Sequence, residues 1–354
     1  MATALRIPPQ EAPRTETVPF HLSEAWARCW DEAYAEGRPL LLSAGEARLR
    51  MSLVKGRLGP LRFPLLASPT NLQTCYFDLD GGEAPAEELD ALADRMLATG
   101  AAQVRLDWLS EGARLLDAAA TWARRHPIVV EPFAISPLAS CSGDFESYLA
   151  RTGSSVRKYW KACRRHVLSG PIEFEIVTGG PGLAKLVDEM FALEASGWKG
   201  REGSAILSLP ADAHFYRSLA FAAAEAGALR IATLREEGRL LAYEYSLVGG
   251  DTILAMKVGY DESRSRLQPG HMIALLNIRD ACEDPAIAWY DMLGNSMRIA
   301  EYKRRFATDY RTICRIRLFS RTGTGRLLYA LYRSKPLMKA LRGRVRGLAG
   351  RLRR

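Results

Sequence analysis

The sequence lacks the signatures of metal-binding and disulfide-bonded domains. Its six cysteines include no C-x-x-C pair, and its five histidines show no metal-ligand spacing among themselves or with the cysteines. The cysteines are instead scattered along the chain, at Cys29, Cys75, Cys141, Cys163, Cys282 and Cys314. We therefore expect a reduced protein that uses no metal.

Long apolar runs are also missing. No stretch approaches the roughly 20 apolar residues of a membrane-spanning helix, and the start MATALRIPPQEAPRTE has no apolar core of the kind found in secretion signals. These absences predict a cytoplasmic protein. Apolar residues make up 48% and charged residues 25% of the 354 residues, which is typical of a packed globular protein rather than a disordered one.

Acidic residues are absent from the C-terminal segment, residues 321–354, which contains eleven Lys or Arg. The whole chain has a net charge of +9, so the remainder is close to neutral. The cations are interspersed with leucines, as in an amphipathic helix on a surface. One interpretation is attachment to an anionic membrane, at its inner face, or to nucleic acid. The other is a helix that packs on the body and ends in solvated charges, and we expect no specific DNA binding.

Helix-like and strand-like periods alternate through most of the chain, which predicts the mixed α/β class. Residues 173–320 read as β-α-α-β-β-β-α-β-α-β, and the first half repeats the later part of this order. VRLDWL at 104–109 and IAWYDML at 287–293 even share an Asp inside an apolar strand. We predict two similar halves, the second more complete. The predicted divisions are a flexible tail (1–16), a first half (17–140), a basic linker helix (141–170), a second half (171–320) and the basic tail (321–354).

The linker contains the basic helix SSVRKYWKACRRHV, which places Arg157, Lys161 and Arg164 or Arg165 along one stripe. Such a stripe could receive a polyanion such as a tRNA or an acidic glycan. The alternative is a solvated stripe, or one that is paired with acids of the neighbouring domain.

The element order of the second half resembles that of the GNAT acyltransferase superfamily, and its duplication resembles the branch with two tandem GNAT-like halves. From about Phe145 to Arg326 the sequence is similar to the family associated with bacterial cellulose and exopolysaccharide biosynthesis clusters; the first half is similar only in architecture. The matching stretches are SVRKYWKACRRH, FALEASGWKGREGSAI, AYEYSL, KVGYDESRSRLQPGHM, YDMLGN and EYKRRFAT. The last two also resemble the Fem peptidyltransferases, which use aminoacyl-tRNA instead of acyl-CoA. The resemblance implies an acyltransferase with acetyl-CoA or another acyl-CoA as co-substrate.

The segment KVGYDESRSRLQPGHM joins an apolar strand to an apolar helix through a charged loop. A helix N-terminus attracts phosphate through its free backbone N–H groups and its dipole, so this segment is the candidate site for the pyrophosphate of acyl-CoA. The residues concerned are Arg264, Arg266, Gly270, His271 and Met272. The alternative is a Pro-Gly turn before an ordinary helix.

This loop departs from the GNAT pattern, which is Gln or Arg, two residues, Gly, one residue, and Gly or Ala. Arg266 lies one residue too far from Gly270, and Met272 occupies the second small position. The departure weakens the assignment of acetyl-CoA and keeps aminoacyl-tRNA as a second donor hypothesis.

EASGWKGREG brings an aromatic ring, cations and glycines together after a helix, a combination that often lines a pocket. Glu194, Trp198 and Lys199 are its candidate substrate-binding residues. A helix C-cap with favourable cations is the alternative.

Acyl transfer needs a base for the nucleophile and an acid for the departing thiolate. Strict alternation in AYEYSL places Glu244 on one face of its strand, and Lys257 is an isolated cation in the next strand. Because an unpaired buried charge is costly, we expect Glu244 and Lys257 to pair across the strands. The pair would be either structural or a substrate-binding and acid–base site.

Three further candidates follow in sequence. Asp291 lies inside an apolar strand and should find a partner, with a base-like role. Tyr302 begins YKRRF, which resembles the Y-x-x-x-G-F stretch of GNAT enzymes, where the Tyr protonates the thiolate, although the Gly is missing. Lys303 matches a Lys of this branch and of the Fem relatives, which implies that it holds an anionic group. The alternative for residues 298–305 is a cationic helix face.

Three hypotheses follow from these observations. The first is direct acyl transfer from acyl-CoA to a saccharide, a polysaccharide precursor or an amine. The second keeps the chemistry and takes aminoacyl-tRNA as the donor. The third is a non-catalytic scaffold that reaches a membrane polysaccharide machine through residues 321–354.

Overall fold

The strand-like and helix-like periods of the first half become regular elements in the computed structural model, which describes residues 18–81 and 84–334. The first half contains α1 (Glu24–Tyr34), β1 (Arg38–Ala44), β2 (Ala47–Leu58), β3 (Leu61–Ala67), α2 (Ala86–Ala98), β4 (Gln103–Ser110), α3 (Arg114–Arg125) and β5 (Ile128–Ser140). Two helices lead to the second half, α4 (Phe145–Arg151) and α5 (Ser154–Cys163), the latter continuing into a π-helical turn, Arg164–Leu168.

The second half follows the predicted order with one added short helix. Its elements are β6 (Ile172–Val177), α6 (Leu183–Ser196), α7 (Trp198–Arg201), α8 (Pro210–Glu225), β7 (Leu229–Glu236), β8 (Arg239–Gly249), β9 (Thr252–Tyr260), α9 (Pro269–Glu283), β10 (Trp289–Asp291), α10 (Glu301–Phe306) and β11 (Asp309–Phe319). A last helix covers residues 323–334.

Eleven strands join one sheet, in the order β1-β2-β3-β4-β11-β5-β10-β9-β8-β7-β6. Counted outward from the central β11 and β5, the two halves mirror each other, since β4 corresponds to β10, β3 to β9, β2 to β8 and β1 to β7. The pairs β3–β4 and β9–β10 are parallel and the others antiparallel. The predicted α/β class with two similar halves is therefore confirmed, and β6 makes the second half the more complete one.

Each half donates one strand to the other. β11, the last strand in sequence, lies between β4 and β5 of the first half, and β5 lies between β11 and β10. One apolar core also contains residues of both halves, including Leu106 of β4, Phe215 of α8 and Leu247 of β8. Neither half can therefore complete its sheet or its core without the other.

The C-terminal segment begins by packing on the body. Leu328 is fully buried in a small core with Phe63 and Phe319, whereas Leu327 and Leu331 are exposed. Residues 321–334 thus fit the second interpretation of the basic tail. The predictions for residues 1–16, and those for the tail beyond residue 334, lie outside the described residues. Among the described residues, no helix is long and apolar enough to cross a membrane.

The sequence pattern SMRIAEYKRRFA predicts a helix over residues 296–307, but the observed helix is shorter. Residues 292–296 run beside β5 without forming a helix, because Met292 N–H donates to Pro137 O (3.0 Å) and Ile135 N–H donates to Ser296 O (3.1 Å). Gly294 lies so close to β5 that an added Cβ would stand 1.7 Å from Ile135 O. Helix α10 therefore begins only at Glu301.

The exchange of strands predicts that the two halves unfold together. Leu106→Ala in β4 and Leu275→Ala in α9 each delete a fully buried side chain, at a cost of about 2–5 kcal/mol. Scanning calorimetry should show one transition in the wild type, and each variant should lower that same transition. Two separate transitions, each moved by only one variant, would show that the halves are independent.

Candidate functional site

In the second-half sheet the strands β9 and β10 part after a short parallel ladder. The two strands are parallel for only three residue pairs, ending with Leu254 opposite Asp291. Beyond this point β9 continues to Tyr260 beside β8, while residues 292–296 follow β5. We call the gap between residues 255–260 and 292–296 the seam. Ligands of α/β sheets commonly bind beyond the carboxyl ends of parallel strands that part in this way.

A lysine lies at each edge of the seam. Lys199 Nζ donates to Val258 O on the β9 edge (2.8 Å). Lys303 Nζ donates to Met292 O (2.7 Å) and Leu293 O (2.6 Å) on the other edge. Burial, opposed by the charges of Asp291 and Glu244 and aided by that of Lys199, lowers the pKa of Lys303 to about 8. Each ammonium has three N–H groups, and each uses two of them within the protein.

Glu244 is fully buried beneath the seam. Its carboxylate accepts hydrogen bonds from Tyr290 Oη (2.5 Å), Asn277 Nδ2 (2.9 Å) and Ser246 Oγ (3.0 Å). Burial raises its pKa to about 7. The enclosed carboxylate joins Tyr290 of β10 to Asn277 of α9 and so connects the sheet to the helix beside the site.

The expected pairing of Glu244 with Lys257 is wrong. Near the hairpin turn Ser246 lies opposite Ala255, a register that would bring Glu244 opposite Lys257, but a β-bulge at Met256 shifts the ladder by one residue. Glu244 therefore faces Val258, and Lys257 lies opposite Tyr245 on the other face. The bulge, which the alternation of AYEYSL does not reveal, separates the two charges.

Asp291 has hydrogen-bond partners, as expected for a buried carboxylate. It accepts hydrogen bonds from Tyr76, Ser136 and the Leu293 N–H (2.8 Å), and Arg311 Nη1 lies 3.3 Å from it. Burial raises the pKa of this carboxyl. Because Tyr76 comes from the first half, Asp291 ties that half to the edge of the seam.

Tyr302 and the α6–α7 junction lie near the two lysines. Half of the Tyr302 side chain is exposed, and Lys303 Nζ lies 5.9 Å from its ring centre. Glu194 is buried and accepts from Lys199 Nζ (2.5 Å) and the Ile206 N–H (2.7 Å), which holds Lys199 in place. Trp198 is 43% exposed, and its N–H donates to Glu262 Oε1 (2.5 Å).

The start of α9 is shaped by Gln268, which adopts the left-handed conformation (φ 55°, ψ 50°) directly before Pro269. Gly270 follows where an added Cβ would stand 3.0 Å from the Tyr260 ring. His271 stacks on Tyr159 of α5 with ring centres 4.6 Å apart, and burial lowers its pKa.

Two of the five predicted donor-binding residues are revised. Arg264 forms an ion pair with Glu236, so its positive charge is compensated within the protein. Met272 is fully buried in the core and cannot contact a ligand. Arg266 remains exposed and forms no ion pair or hydrogen bond within residues 18–81 and 84–334. Of the predicted set, Arg266, Gly270 and His271 lie where a ligand could reach the helix start.

A cavity of about 340 Å³ lies between α5 and the start of α9. It is lined by Ser155, Lys158, Tyr159, His166, Arg266 and Gln268, among others. The side chains of Lys158, His166 and Arg266 have no acidic partner in the described part of the chain. We call this the basic cavity. Tyr260, at the end of the β9 edge of the seam, packs on Gly270 at the start of α9, so the cavity adjoins that end of the seam.

The basic linker helix lines the basic cavity. The sequence suggested a polyanion-binding stripe on this helix, but its contact with the start of α9 was not predicted. Val156, Tyr159 and Cys163 form the buried face of α5, and this apolar stripe was the only sign that the helix packs on a partner. Arg157, Lys161, Arg164 and Arg165 are exposed. No acid within the described ranges pairs with these four cations, so the predicted alternative of acidic partners is not found there. The described residues also contain no group of three or more His, Cys, Asp or Glu that could hold a metal ion.

Comparisons with known proteins fit this geometry. The family model "Acetyltransferase (GNAT) domain" matches residues 154–304, which contain the seam and the basic cavity. Similar solved structures include FemX (10% identity, TM-score 0.55, covering 87% of this chain and 93% of that one). Another is the C-terminal domain of an Agrobacterium fabrum protein described as a lysylphosphatidylglycerol synthetase (12%, 0.54, 86% and 95%). A third is L-PGS from Bacillus licheniformis (11%, 0.52, 92% and 96%).

No curated protein sequence matches the chain significantly. At these low identities the solved structures show the fold alone, which is GNAT-like. Together with the matched domain, the fold supports a transferase.

The raised pKa of Glu244 predicts a specific pH dependence of stability. The folded carboxyl keeps its proton up to about pH 7, whereas its ordinary value is 4.5. The unfolded chain therefore loses the proton first, and stability falls as the pH rises from 4.5 to 7, by about 3 kcal/mol. In Glu244→Gln this part of the decline should vanish, as measured by denaturant unfolding at pH 4.5 to 8.

The raised pKa of Asp291 also makes stability fall as the pH rises, and it does so in the wild type and in Glu244→Gln alike. The difference between the two pH profiles therefore isolates the contribution of Glu244. Identical pH profiles for the wild type and Glu244→Gln would refute the assignment.

Proposed function

We propose that the chain transfers an acyl group from a nucleotide-bearing donor to an amine or hydroxyl acceptor at the seam. The basic cavity carries this proposal, because unpaired Lys158, His166 and Arg266 side chains converge beside a helix N-terminus. Both features favour phosphate groups. The seam next to the cavity provides the place where the acyl group meets the acceptor.

Acyl-CoA is the first candidate donor. Its phosphates would lie in the basic cavity, and its pantetheine arm would follow the seam toward Lys199 and Lys303. The acceptor nitrogen or oxygen then attacks the thioester carbonyl, its bond to carbon forms, and the carbon–sulfur bond breaks. The thiolate takes the proton of Tyr302, and the proton that the acceptor loses returns to Tyr302 through water. No covalent enzyme intermediate is needed, since the acceptor reaches the carbonyl directly.

The seam residues have defined tasks in this reaction. Lys303 has one N–H left after its bonds to two carbonyls, and that N–H can stabilise the oxyanion that develops on the thioester carbonyl. Tyr302, half-exposed beside Lys303, is placed to protonate the departing thiolate. Buried Glu244 and Asp291 hold the strands that carry these groups. The acceptor, by the resemblance of the second half, is a saccharide, a polysaccharide precursor or an amine, as in an exopolysaccharide pathway.

Aminoacyl-tRNA is the second candidate donor. Two observations favour it: the exposed cations of α5 extend the basic surface beyond the cavity, and buried Met272 replaces a small residue of the acyl-CoA pattern. A longer polyanion would use the cations at Lys161 and Arg165, which a single coenzyme in the cavity does not need.

Calorimetric titration with acetyl-CoA and longer acyl-CoAs tests the donor. The wild type should bind, and the double variant Lys158→Ala/Arg266→Ala should bind at least about tenfold more weakly, since two charge-assisted contacts are lost. The control variant Lys55→Ala/Arg62→Ala removes the same charges from exposed positions of β2 and β3 and should bind like the wild type.

If no acyl-CoA binds to the correctly folded protein, the first candidate is rejected. The second then predicts binding of aminoacyl-tRNA that weakens steeply with salt, and Lys161→Ala/Arg165→Ala should reduce the slope of log affinity against log salt by about two. Failure of both donors to bind would reject the proposed function.

A further inference from the structure

The face of the second-half sheet opposite the basic cavity carries polar groups that the donor does not use. Glu244 points to Asn277 of α9, so its neighbours Tyr243 and Tyr245 point to the other face, which α6 and α8 cover. The bulge at Met256 places Lys257 on this face as well, opposite Tyr245. This face therefore approaches the seam from the side away from α5.

The Lys257 ammonium has no hydrogen bond or ion pair within the described chain. Its Nζ lies 5.2 Å from the ring centre of Tyr216 in α8, and burial lowers its pKa. Glu194 and Asp212 are the acids that act on it from a distance. Asp212 accepts hydrogen bonds from Tyr34 (2.6 Å) and Gln73 (2.9 Å), so each of its oxygens already has a partner other than Lys257.

The Tyr243 hydroxyl is a second group without a partner. The side chain is fully buried, and its Oη has no hydrogen bond among the described residues. Its ring lies over Gly259, where an added Cβ would stand 2.3 Å from it. Burial, and then the charge of Glu194, raises its pKa. Tyr243 lies opposite Gly259 in the ladder, two residues from the Tyr245–Lys257 pair and on the same face. An unsatisfied buried hydroxyl costs stability, so its retention needs a reason.

Lys199 connects these groups to the seam. Its Nζ bonds to Glu194 and to Val258 O at the seam edge, which leaves one N–H free. Val258 follows Lys257 directly in β9, so the bond of Lys199 to Val258 O brings it to the strand position next to Lys257. Glu194 is already held by Lys199 and the Ile206 N–H. Two ammonium groups and a hydroxyl therefore retain donors that no group in residues 18–81 and 84–334 accepts.

We propose that Lys257, Lys199 and Tyr243 bind an anionic group of the acceptor, a carboxylate or a phosphate ester. The donor lies on the α5 side of the sheet and the acceptor enters from the α8 side, so that its amine or hydroxyl reaches the seam between them. This inference rests on the proposed function, and it adds that the acceptor is acidic.

Binding of matched small probes tests the proposal. We would compare glucosamine 6-phosphate with glucosamine, and glucuronate with glucose, by titration of the wild-type protein in the presence and absence of coenzyme A. One or both acidic probes should bind at least about tenfold more tightly than the neutral counterpart, and which pair shows the preference distinguishes phosphate from carboxylate. Equal affinities within both pairs would overturn the proposal.

Variants then locate the preference. Lys257→Met should abolish it, whereas Lys185→Met, at an exposed position of α6, should keep it. Tyr243→Phe guards against misfolding of Lys257→Met: removal of an unpaired buried hydroxyl should leave the melting temperature unchanged or higher, yet weaken the acidic probe by about three- to tenfold. A preference that survives both substitutions would contradict the assignment.

The donor titration separates this inference from the proposed function. In Lys257→Met, coenzyme A should bind as in the wild type, since the basic cavity is on the other face. Donor binding without any acidic preference rejects the acceptor site alone. An acidic preference without binding of either donor rejects the proposed function and leaves an anion site at Lys257.

Discussion

The shortness of the parallel ladder between β9 and β10 is the constraint on which the site depends. Three residue pairs join the strands, and then residues 292–296 follow β5 instead of β9. Backbone groups at both edges of the gap would otherwise lack partners, which is costly wherever water is excluded. Lys199 and Lys303 satisfy carbonyls of the two edges. The same geometry thus opens the sheet and brings two cations to the opening.

The first half shows what happens when such a gap is closed. Its parallel pair, β3 and β4, also parts early, because β3 ends at Ala67. There the chain turns back onto β4: Ser68 N–H donates to Arg105 O (2.9 Å) and Phe77 N–H donates to Trp108 O (2.9 Å). The same segment sends Tyr76 to Asp291. In the described structure, residues 68–77 therefore occupy the gap of the first half. Through Tyr76 the same segment also contacts Asp291 at the seam of the second half.

Sequence periodicity was sufficient for the class, the two halves and most elements, because alternation and helical periods are local properties. It did not indicate partners. The exchange of β5 and β11, the contact of α5 with α9 and the bond from Tyr76 to Asp291 all join distant residues. The bulge at Met256 shows the limit most clearly, since one extra residue moved Lys257 to the opposite face from Glu244. Likewise, Arg264 pairs with Glu236, 28 positions away in sequence, and this pair removes Arg264 from the predicted donor-binding residues.

Hydrogen exchange with and without a bound donor tests the central claim, that the seam of the second half receives the donor, most directly. Acetyl-CoA, or aminoacyl-tRNA if that is the donor that binds, should slow exchange at the backbone amides of residues 255–260, 268–272 and 292–296. The corresponding strands of the first half, residues 61–67 and 103–110, should exchange at unchanged rates. Slowed exchange confined to the first half, or unchanged exchange at the seam under saturating donor, would contradict the account.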